Sequence, residues 1–413
     1  MTAKKQLEQL RPFEARTIIE ELRKGSVPAD YVSFFTVGRE NWLTFVADDL
    51  TNYIAEGGAK VRFVSGDYGD GKTHFMSLIA ESALEKGFAV SFAVLTREVP
   101  IHRFESVYQE FAGQLRGGFE GIGIRTLMDI WSRTLLEIGD LPEILRNLPG
   151  MNINFANALI ALMENRMMPL AEGETQEQRL AAREILYHWF EGGKISKKNL
   201  RPFGIFEVLN KTNSKHFLNS LIAFLRHLNH KGLVLLTDEL ETVMAMSVSV
   251  RNAAYENVRL LIDNTEQAEY LHIFFSVIPD VLLSEKGFKS YDALWSRVRS
   301  VGEGKGLNWR GVLIDLHRTP LSKEELMELG GMLRRIHGNS YRWEDGAKVR
   351  AELIEKIFEN QKRMGLLSDV RLFIKQVIRV LDMTEQGQNP DEIDLTEQIV
   401  ISRQEQEKEK PDA

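Results

Sequence analysis

Residues 60–75 read KVRFVSGDYGDGKTHF, and this stretch decides the fold. An apolar run with the character of a buried strand leads into a loop rich in glycine, and an apolar helical pattern follows it. Gly66, Gly71, Lys72 and Thr73 match the phosphate-binding pattern G-x-x-x-x-G-K-[ST]. The glycines let successive backbone N–H groups face one point, and the following helix adds its positive end. The stretch therefore predicts a cradle for a nucleoside triphosphate.

Each position of this phosphate loop has an expected task. Lys72 is predicted to reach the β- and γ-phosphates as a catalytic group, and Thr73 to offer its hydroxyl to Mg²⁺. The residues expected to bind the nucleotide here are Gly66, Gly69, Asp70, Gly71, Lys72, Thr73 and His74. ATP and Mg²⁺ are the predicted cofactors.

A second apolar run, GLVLLTDELE at 232–241, ends in acidic residues. We expect Asp238 to hold Mg²⁺ and Glu239 to act as the base that orients the attacking water. Glu241 is a candidate supporting group. An ordinary strand exit would also explain two adjacent acids. ATP is favoured over GTP because Asn210-Lys-Thr-Asn213 lacks the aspartate of a guanine-binding element and precedes the wrong strand.

Five continuous apolar runs predict strands that are buried on both faces. They lie at 60–66, 89–96, 232–239, 272–279 and 311–319. Helical patterns between them indicate an α/β fold with a five-stranded parallel sheet. Residues 97–231 read as a large helical insertion, and residues 320–383 as a C-terminal helical lid. The predicted segments are 1–50 (N-terminal helical), 51–319 (nucleotide core with the insertion), 320–383 (lid) and 384–413 (polar, disordered tail).

Three further polar positions are candidates for sensing the γ-phosphate. Ser276 ends the strand after the Asp-Glu run, and a plain strand-end serine is the alternative. Arg297 or Arg299 could act as an arginine finger toward a neighbouring subunit, or lie on a solvated helix face. Arg371 opens a lid helix and could close over the phosphates. A finger in trans would require a homo-oligomer.

Composition excludes several classes of protein. The 413 residues are 43% hydrophobic and 27% charged, with no cysteine, so disulfides, thiol catalysis and Cys-based zinc sites are ruled out. No apolar run reaches ~18 residues and the N-terminus has no apolar signal region, so we expect a cytoplasmic protein without a membrane span. The net charge of −7 argues against a wholesale nucleic-acid coat. The nine histidines lack the spacing of a metal hydrolase.

The order of these elements resembles an AAA+ ATPase of the origin-recognition branch. In that branch an element like Val37-Gly38-Arg39-Glu40 contributes to the adenine pocket, so the resemblance implies that Val37, Gly38 and Arg39 bind nucleotide. The chain is more closely similar to the BrxD-like ATP-binding proteins of BREX-type phage-defence systems over roughly 12–383. The stretches that carry this likeness are KGSVPADYVSFFTVGRE, VRFVSGDYGDGKTHF, VPIHRFESVYQEF, WFEGGKISKKNLRPFGI and KGLVLLTDELE.

The resemblance implies an ATPase that acts with other defence proteins, including a helicase-type partner, on DNA. The residues after the lid are too few and too polar for a winged-helix DNA reader. Any DNA contact would then be made by the insertion. The candidate for it is a basic cluster that could bind phosphates or could equally be a solvated loop, and its members are Lys194, Lys197, Lys198 and Arg201. Two other functions stay open, a nucleotide-gated interaction module with little hydrolysis and, less favoured, a small-molecule kinase.

Overall fold

The computed structural model describes residues 7–264, 267–299, 306–344, 349–366, 369–397 and 399–400. The predicted five-stranded parallel sheet is confirmed. Its strands are β1 (Ala59–Ser65), β2 (Ala89–Val94), β3 (Leu233–Asp238), β4 (Leu271–Val277) and β5 (Leu313–Asp315). The order across the sheet is β2-β3-β4-β1-β5.

Burial explains why the strand sequences are continuously apolar. Every residue of β3 and β4 is buried. The two strands pair in parallel with Leu236 opposite Phe274, and β2 pairs in parallel with β3 with Phe92 opposite Leu236. A strand covered on both faces has no solvent side, so polar residues appear only where it ends.

Helices connect the strands and follow them. Those described are α1 (Pro12–Lys24), α2 (Glu40–Asp49), α3 (Lys72–Glu85), α4 (Phe104–Gly113), α5 (Ile124–Thr134), α6 (Leu141–Asn147), α7 (Ile153–Met167), α8 (Gln176–Phe190), α9 (Lys197–Leu200), α10 (Ser214–His227), α11 (Val248–Ile262), α12 (Pro279–Leu283), α13 (Asp292–Val298), α14 (Lys323–Tyr341), α15 (Ala351–Arg363) and α16 (Val370–Glu385). Pro12 occupies the first turn of α1, and Gly25 ends that helix with φ of 82°. Within the described residues, no helix combines the length and the apolar character needed to cross a membrane.

The chain divides into two compact units that cut across the predicted segments. The P-loop unit comprises Met1–Val46, Val64–Ser82 and Gly306–Ala413. The insertion unit comprises Ala47–Phe63 and Ala83–Lys305. The predicted N-terminal and lid segments are thus parts of one unit rather than separate segments, because their helices share a core.

The P-loop unit is built around that core. Apolar side chains of α1, including Ile18 and Leu22, are buried with those of α14, α15 and α16. Leu395 also belongs to it, at 8% exposure. The prediction of a disordered tail from residue 384 therefore needs correction over its described part, because an apolar residue in this polar segment is buried. Residues 401–413 of that tail lie outside the described residues.

The insertion unit contains the predicted helical insertion. Helices α4 to α10 all lie between residues 97 and 231. Tyr187, Trp189 and Phe190 are buried at 3% exposure or less and form part of its core. Arg62 on β1 is fully buried and pairs with Asp49 at 2.9 Å.

Candidate functional site

The phosphate loop connects β1 to α3 in the P-loop unit. Gly69 has φ of 95° and Gly71 has φ of 88°, in the left-handed region that favours glycine. A Cβ at Gly71 would meet nothing within 4 Å, whereas a Cβ at Gly69 would lie 2.3 Å from an Asp369 carboxylate oxygen. Gly71 is therefore required by backbone conformation alone, and Gly69 also by the close approach of Asp369.

Polar contacts within the loop fix its shape. The Lys72 ammonium donates to the carbonyls of Gly66 at 3.0 Å and Asp67 at 3.3 Å. The Asp67 N–H donates to Asp70 Oδ2 at 2.7 Å. Burial raises the pKa of the Asp70 carboxyl, although this hydrogen bond acts in the opposite direction. The loop thus holds a buried ammonium beside the N-terminus of α3, and both favour an anionic phosphate chain.

The structure places the predicted adenine-pocket segment against this loop. Thr36 Oγ1 and His74 Nε2 are 3.0 Å apart, and the rings of Phe35 and His74 have centroids 5.0 Å apart. Burial and the charge of Arg39 lower the pKa of His74 to about 4. His74 is therefore neutral at pH 7 and contributes no positive charge to phosphate binding.

Val37 and Gly38 are buried within the same unit, and Arg39 is half-buried. The Arg39 guanidinium donates to the carbonyl of Asp70 at 3.3 Å. Two predicted nucleotide-binding elements, the 37–39 segment and the phosphate loop, are thus directly joined by a hydrogen bond.

The lid helix α16 begins beside the same loop. The Arg371 N–H donates to the carbonyl of Gly69 at 3.3 Å, and Asp369 caps the helix by accepting the N–H of Leu372 at 2.8 Å. The side chain of Arg371 is exposed. The structure therefore brings Arg371 to the phosphate loop through its backbone, while its guanidinium stays at the surface.

One neighbour of the loop was not predicted from the sequence. His317 follows β5, and its Nδ1 lies 3.1 Å from Asp67 Oδ2 and 3.7 Å from Asp70 Oδ2. The three residues place one possible ligand atom each within 4.8 Å of one another. No motif marks His317 in the sequence, because it contacts the loop only once β5 lies beside β1.

The acidic end of β3 lies in the insertion unit, with β4 beside it. The Glu239 N–H donates to Asp238 Oδ1 at 3.0 Å and to Ser276 Oγ at 3.1 Å. The Ser276 hydroxyl donates to the same Asp238 oxygen. Asp238 and Ser276 are buried. Three predicted site residues, Asp238, Glu239 and Ser276, are thus brought together, and Ser276 is the partner of the aspartate.

The backbone at Glu239 is unusual. Its φ of 66° places a residue with a full side chain in the left-handed region, at a cost of about 1 kcal/mol. Thr242 Oγ1 donates to the Glu239 carbonyl at 2.9 Å, so both sides of this residue's backbone are held. Non-glycine residues in such conformations cluster at functional sites. Glu241, the candidate supporting group, is buried.

The predicted Mg²⁺ ligands can be tested by their chemistry. Mg²⁺ prefers carboxylate and hydroxyl oxygens. Asp238 is a carboxylate whose Oδ1 already accepts the Glu239 N–H and the Ser276 hydroxyl. Thr73, in the P-loop unit, is the second residue of α3 and has a half-buried side chain. Both donors suit the ion, and each occupies the end of a regular element.

The two candidate arginine fingers differ in their contacts. Arg297 pairs with Asp263, with one guanidinium nitrogen 2.8 Å from Asp263 Oδ2, and it also donates to the carbonyl of Ala293. Arg299 is exposed and forms no ion pair with any residue that the structure describes. Of the two, Arg299 is the one that is exposed and has no ion pair among the described residues.

The basic cluster of the insertion lies on α9 and on the residues that flank it on both sides. Lys194, Lys197, Lys198 and Arg201 are all exposed, and none of the four pairs with a carboxylate among the described residues. Phe206 follows at 62% exposure. The cluster therefore presents positive charge at the surface, and an exposed aromatic residue follows it in the sequence.

A comparison with protein families assigns the chain as a whole. The model of the family described as BREX system ATP-binding protein BrxC/D matches residues 10–400. The chain belongs to this family. The family's description indicates that the chain is an ATP-binding protein of a phage-defence system. The matched residues extend over both compact units. A search of curated proteins found no match.

Proposed function

We propose that this BREX ATP-binding protein is an AAA+ ATPase that hydrolyses ATP. The phosphate loop holds the triphosphate through its N–H groups and Lys72. Thr73 and Asp238 are the residues that would offer oxygen ligands to Mg²⁺, which would neutralise charge on the phosphates. Glu239 orients and activates the attacking water.

The observation that favours hydrolysis over binding alone is the backbone conformation of Glu239. Its N–H is held by Asp238 and Ser276 at 3.0 and 3.1 Å, and its carbonyl accepts from Thr242. A costly backbone conformation that is held on both sides sets the direction of the Glu239 side chain, one residue after a metal-ligand candidate, and this supports a part for the side chain in the reaction. A water-activating base needs this kind of positioning.

Steady-state phosphate release from Mg·ATP tests the proposal, with ATP binding measured in parallel by calorimetry. The wild-type protein is compared with Lys72→Ala across a range of protein concentrations, with and without duplex DNA. We expect turnover that Lys72→Ala abolishes. Tight ATP binding with no turnover at any concentration, with or without DNA, would contradict it.

A nucleotide-gated interaction module is the second candidate, and one contact favours it. The N–H of Arg371 at the start of α16 donates to the carbonyl of Gly69, so a ligand that shifts this loop also shifts the lid helix. Such a ligand changes the lid equilibrium only by its differential affinity for the two lid positions. This candidate predicts binding, little turnover, and a nucleotide-dependent affinity for a partner.

We further propose that the active form is a homo-oligomer completed by an arginine finger. Arg297 and Arg299 are the two candidates, and Arg299 has the exposed side chain. Specific activity that rises with protein concentration supports a site shared between subunits. The finger is the arginine whose replacement by alanine abolishes that rise. If neither replacement affects it, the trans arrangement is wrong.

The expected partners are other BREX proteins, including a helicase-type protein, and DNA. The basic cluster is our candidate DNA contact, because phosphate contacts by Lys and Arg give salt-dependent affinity. Fluorescence anisotropy with labelled DNA tests this in wild type and in a variant with Lys194, Lys197, Lys198 and Arg201 changed to Ala. Equal affinity in the two proteins would remove the cluster from the DNA contact.

A further inference from the structure

Arg39 is surrounded by backbone and hydroxyl oxygens of two other segments of the P-loop unit. One terminal nitrogen lies 3.3 Å from the Leu316 carbonyl and 3.1 Å from Thr319 Oγ1, and it also donates to the Thr319 carbonyl. The other lies 3.3 Å from the Asp70 carbonyl. The guanidinium therefore connects the segment after β5 to the phosphate loop.

The segment after β5 is itself fixed. The Leu316 N–H donates to the Ser65 carbonyl at the end of β1 at 2.8 Å. Thr319 Oγ1 donates to the Asp315 carbonyl at 2.8 Å and accepts the indole N–H of Trp42 at 3.1 Å. The oxygens that Arg39 binds on this side thus belong to a segment that is held in place by its own hydrogen bonds.

On the other side, Arg39 binds a peptide group that would otherwise rotate easily. A trans peptide is planar, so the Asp70 carbonyl and the Gly71 N–H point in opposite directions as one unit. Glycine adopts positive and negative φ at similar cost. Gly71, with φ of 88° and open space around its Cα, therefore offers little resistance to a flip of this peptide.

We propose that Arg39 is a positioning residue for the triphosphate: by holding the Asp70 carbonyl, it keeps the Gly71 N–H aimed into the phosphate cradle. The resemblance to origin-recognition proteins implied instead that Arg39 helps to form the adenine pocket. The planar guanidinium suits this task because its donors bind the segment after β5 and the phosphate loop at the same time, which a lysine ammonium does less well. The inference rests on the proposed binding of a triphosphate at the phosphate loop.

The two roles for Arg39 predict different ligand dependence. A residue that orients a phosphate-binding N–H affects every triphosphate equally, whether or not a base is attached. A residue that contacts adenine affects ATP alone. Calorimetric titration of the full chain with Mg·ATP and with Mg·tripolyphosphate separates them, in wild type, Arg39→Ala and Arg39→Lys.

We expect Arg39→Ala to weaken both ligands by the same factor, about tenfold, as for loss of a charged hydrogen bond. Arg39→Lys should recover part of this affinity for both. Arg23→Ala is the matched control, since Arg23 is a part-buried arginine of the same unit that pairs with Asp382 at 2.8 Å. It should lower the melting temperature and leave both affinities unchanged.

Thr319→Val gives a second test should Arg39→Ala fail to fold. It removes one acceptor of Arg39 while keeping side-chain volume, and we expect a smaller but equal loss for both ligands. Loss of ATP affinity alone, or unchanged affinity for both ligands in folded Arg39→Ala, would overturn the inference while the proposed function stands. A wild-type protein that bound neither ligand would overturn both.

Discussion

Ser276 donates its hydroxyl to the Asp238 oxygen that also accepts the N–H of Glu239. The serine at the end of β4 therefore fixes the aspartate at the end of β3. The sequence suggested that Ser276 senses the γ-phosphate. Its hydrogen bonds indicate a different role, in which Ser276 holds the side-chain rotamer of Asp238, the candidate metal ligand.

Replacing Ser276 with alanine tests that task. The change removes one hydrogen bond to Asp238 and one acceptor of the Glu239 N–H, both in a buried position. We expect the free energy of unfolding to fall by about 1–3 kcal/mol, and the Mg²⁺ concentration needed for half-maximal hydrolysis to rise. Urea unfolding and Mg²⁺ titrations of phosphate release measure the two effects.

Thr237→Val is the matched control one residue before Asp238. The Thr237 hydroxyl is buried and has no hydrogen-bond partner among the described residues. Valine replaces an unpaired hydroxyl with a methyl group of similar size, so stability should be unchanged or increased. A Ser276→Ala protein with the stability and Mg²⁺ dependence of the Thr237→Val protein would contradict the assigned role.

Glu239→Gln separates hydrolysis from binding. The amide keeps the shape of the side chain but is not a base, so turnover should fall about 100-fold or more. ATP affinity should stay within about twofold, because the glutamate acts on water rather than on the nucleotide. Phosphate release at saturating ATP and calorimetric titration give the two numbers. Turnover at the wild-type rate would remove Glu239 as the base.

The fold was predictable because its signals are local. The five strands read as apolar runs that end at glycine or polar residues, and β3 shows this with every residue buried. Helix α1 runs from Pro12 to Lys24 within the predicted N-terminal helical segment, and its first-turn proline and terminal glycine are signals that act within one turn of the chain. The phosphate loop was equally clear from its own residues.

The remaining features depend on contacts between distant segments. Arg39 contacts Thr319, 280 positions away, and no periodicity marks such a pair. His317 looked like an ordinary residue after a strand. Leu395 is one of a few apolar residues in a mostly polar stretch, and its burial depends on the helices that cover it. Sequence patterns report an element's own burial but not its partner.

The two left-handed glycines of the phosphate loop should differ in their tolerance of alanine. At Gly71 the added methyl meets nothing within 4 Å. The free energy of unfolding should therefore fall only by the penalty for a left-handed alanine, about 1–2 kcal/mol. At Gly69 the methyl would also collide with Asp369 at 2.3 Å, so we expect a larger loss. Urea unfolding of Gly69→Ala and Gly71→Ala measures the difference.

A double mutant isolates the collision. Asp369→Ala removes the carboxylate that approaches Gly69, so in that background the cost of Gly69→Ala should fall toward that of Gly71→Ala. The loss of the α16 cap is common to both Asp369→Ala proteins and cancels in the cycle. Additive effects would show that the lid helix does not constrain the loop at Gly69.

His272 on β4 should make the stability of the protein depend on pH. It is fully buried, and neither ring nitrogen has a hydrogen-bond partner among the described residues. Burial, together with the positive charges of Arg62 and Lys60, holds the pKa of His272 well below 6.5. The unfolded chain binds this proton near pH 6.5 and the folded chain does not. Stability is therefore full above that pH and declines below it, by at most about 1.4 kcal/mol per pH unit from this residue.

His272→Phe removes that dependence and tests its origin. The new ring would lie near Phe274, whose centroid is 4.1 Å from the imidazole, and the two unpaired ring nitrogens of His272 would be removed. We expect equal or greater stability at pH 7 and a shallower decline between pH about 6.5 and 5 by urea unfolding. His74, whose pKa is lowered to about 4, keeps its own contribution in the variant. A pH profile that is unchanged by His272→Phe would contradict the assignment of this dependence to His272.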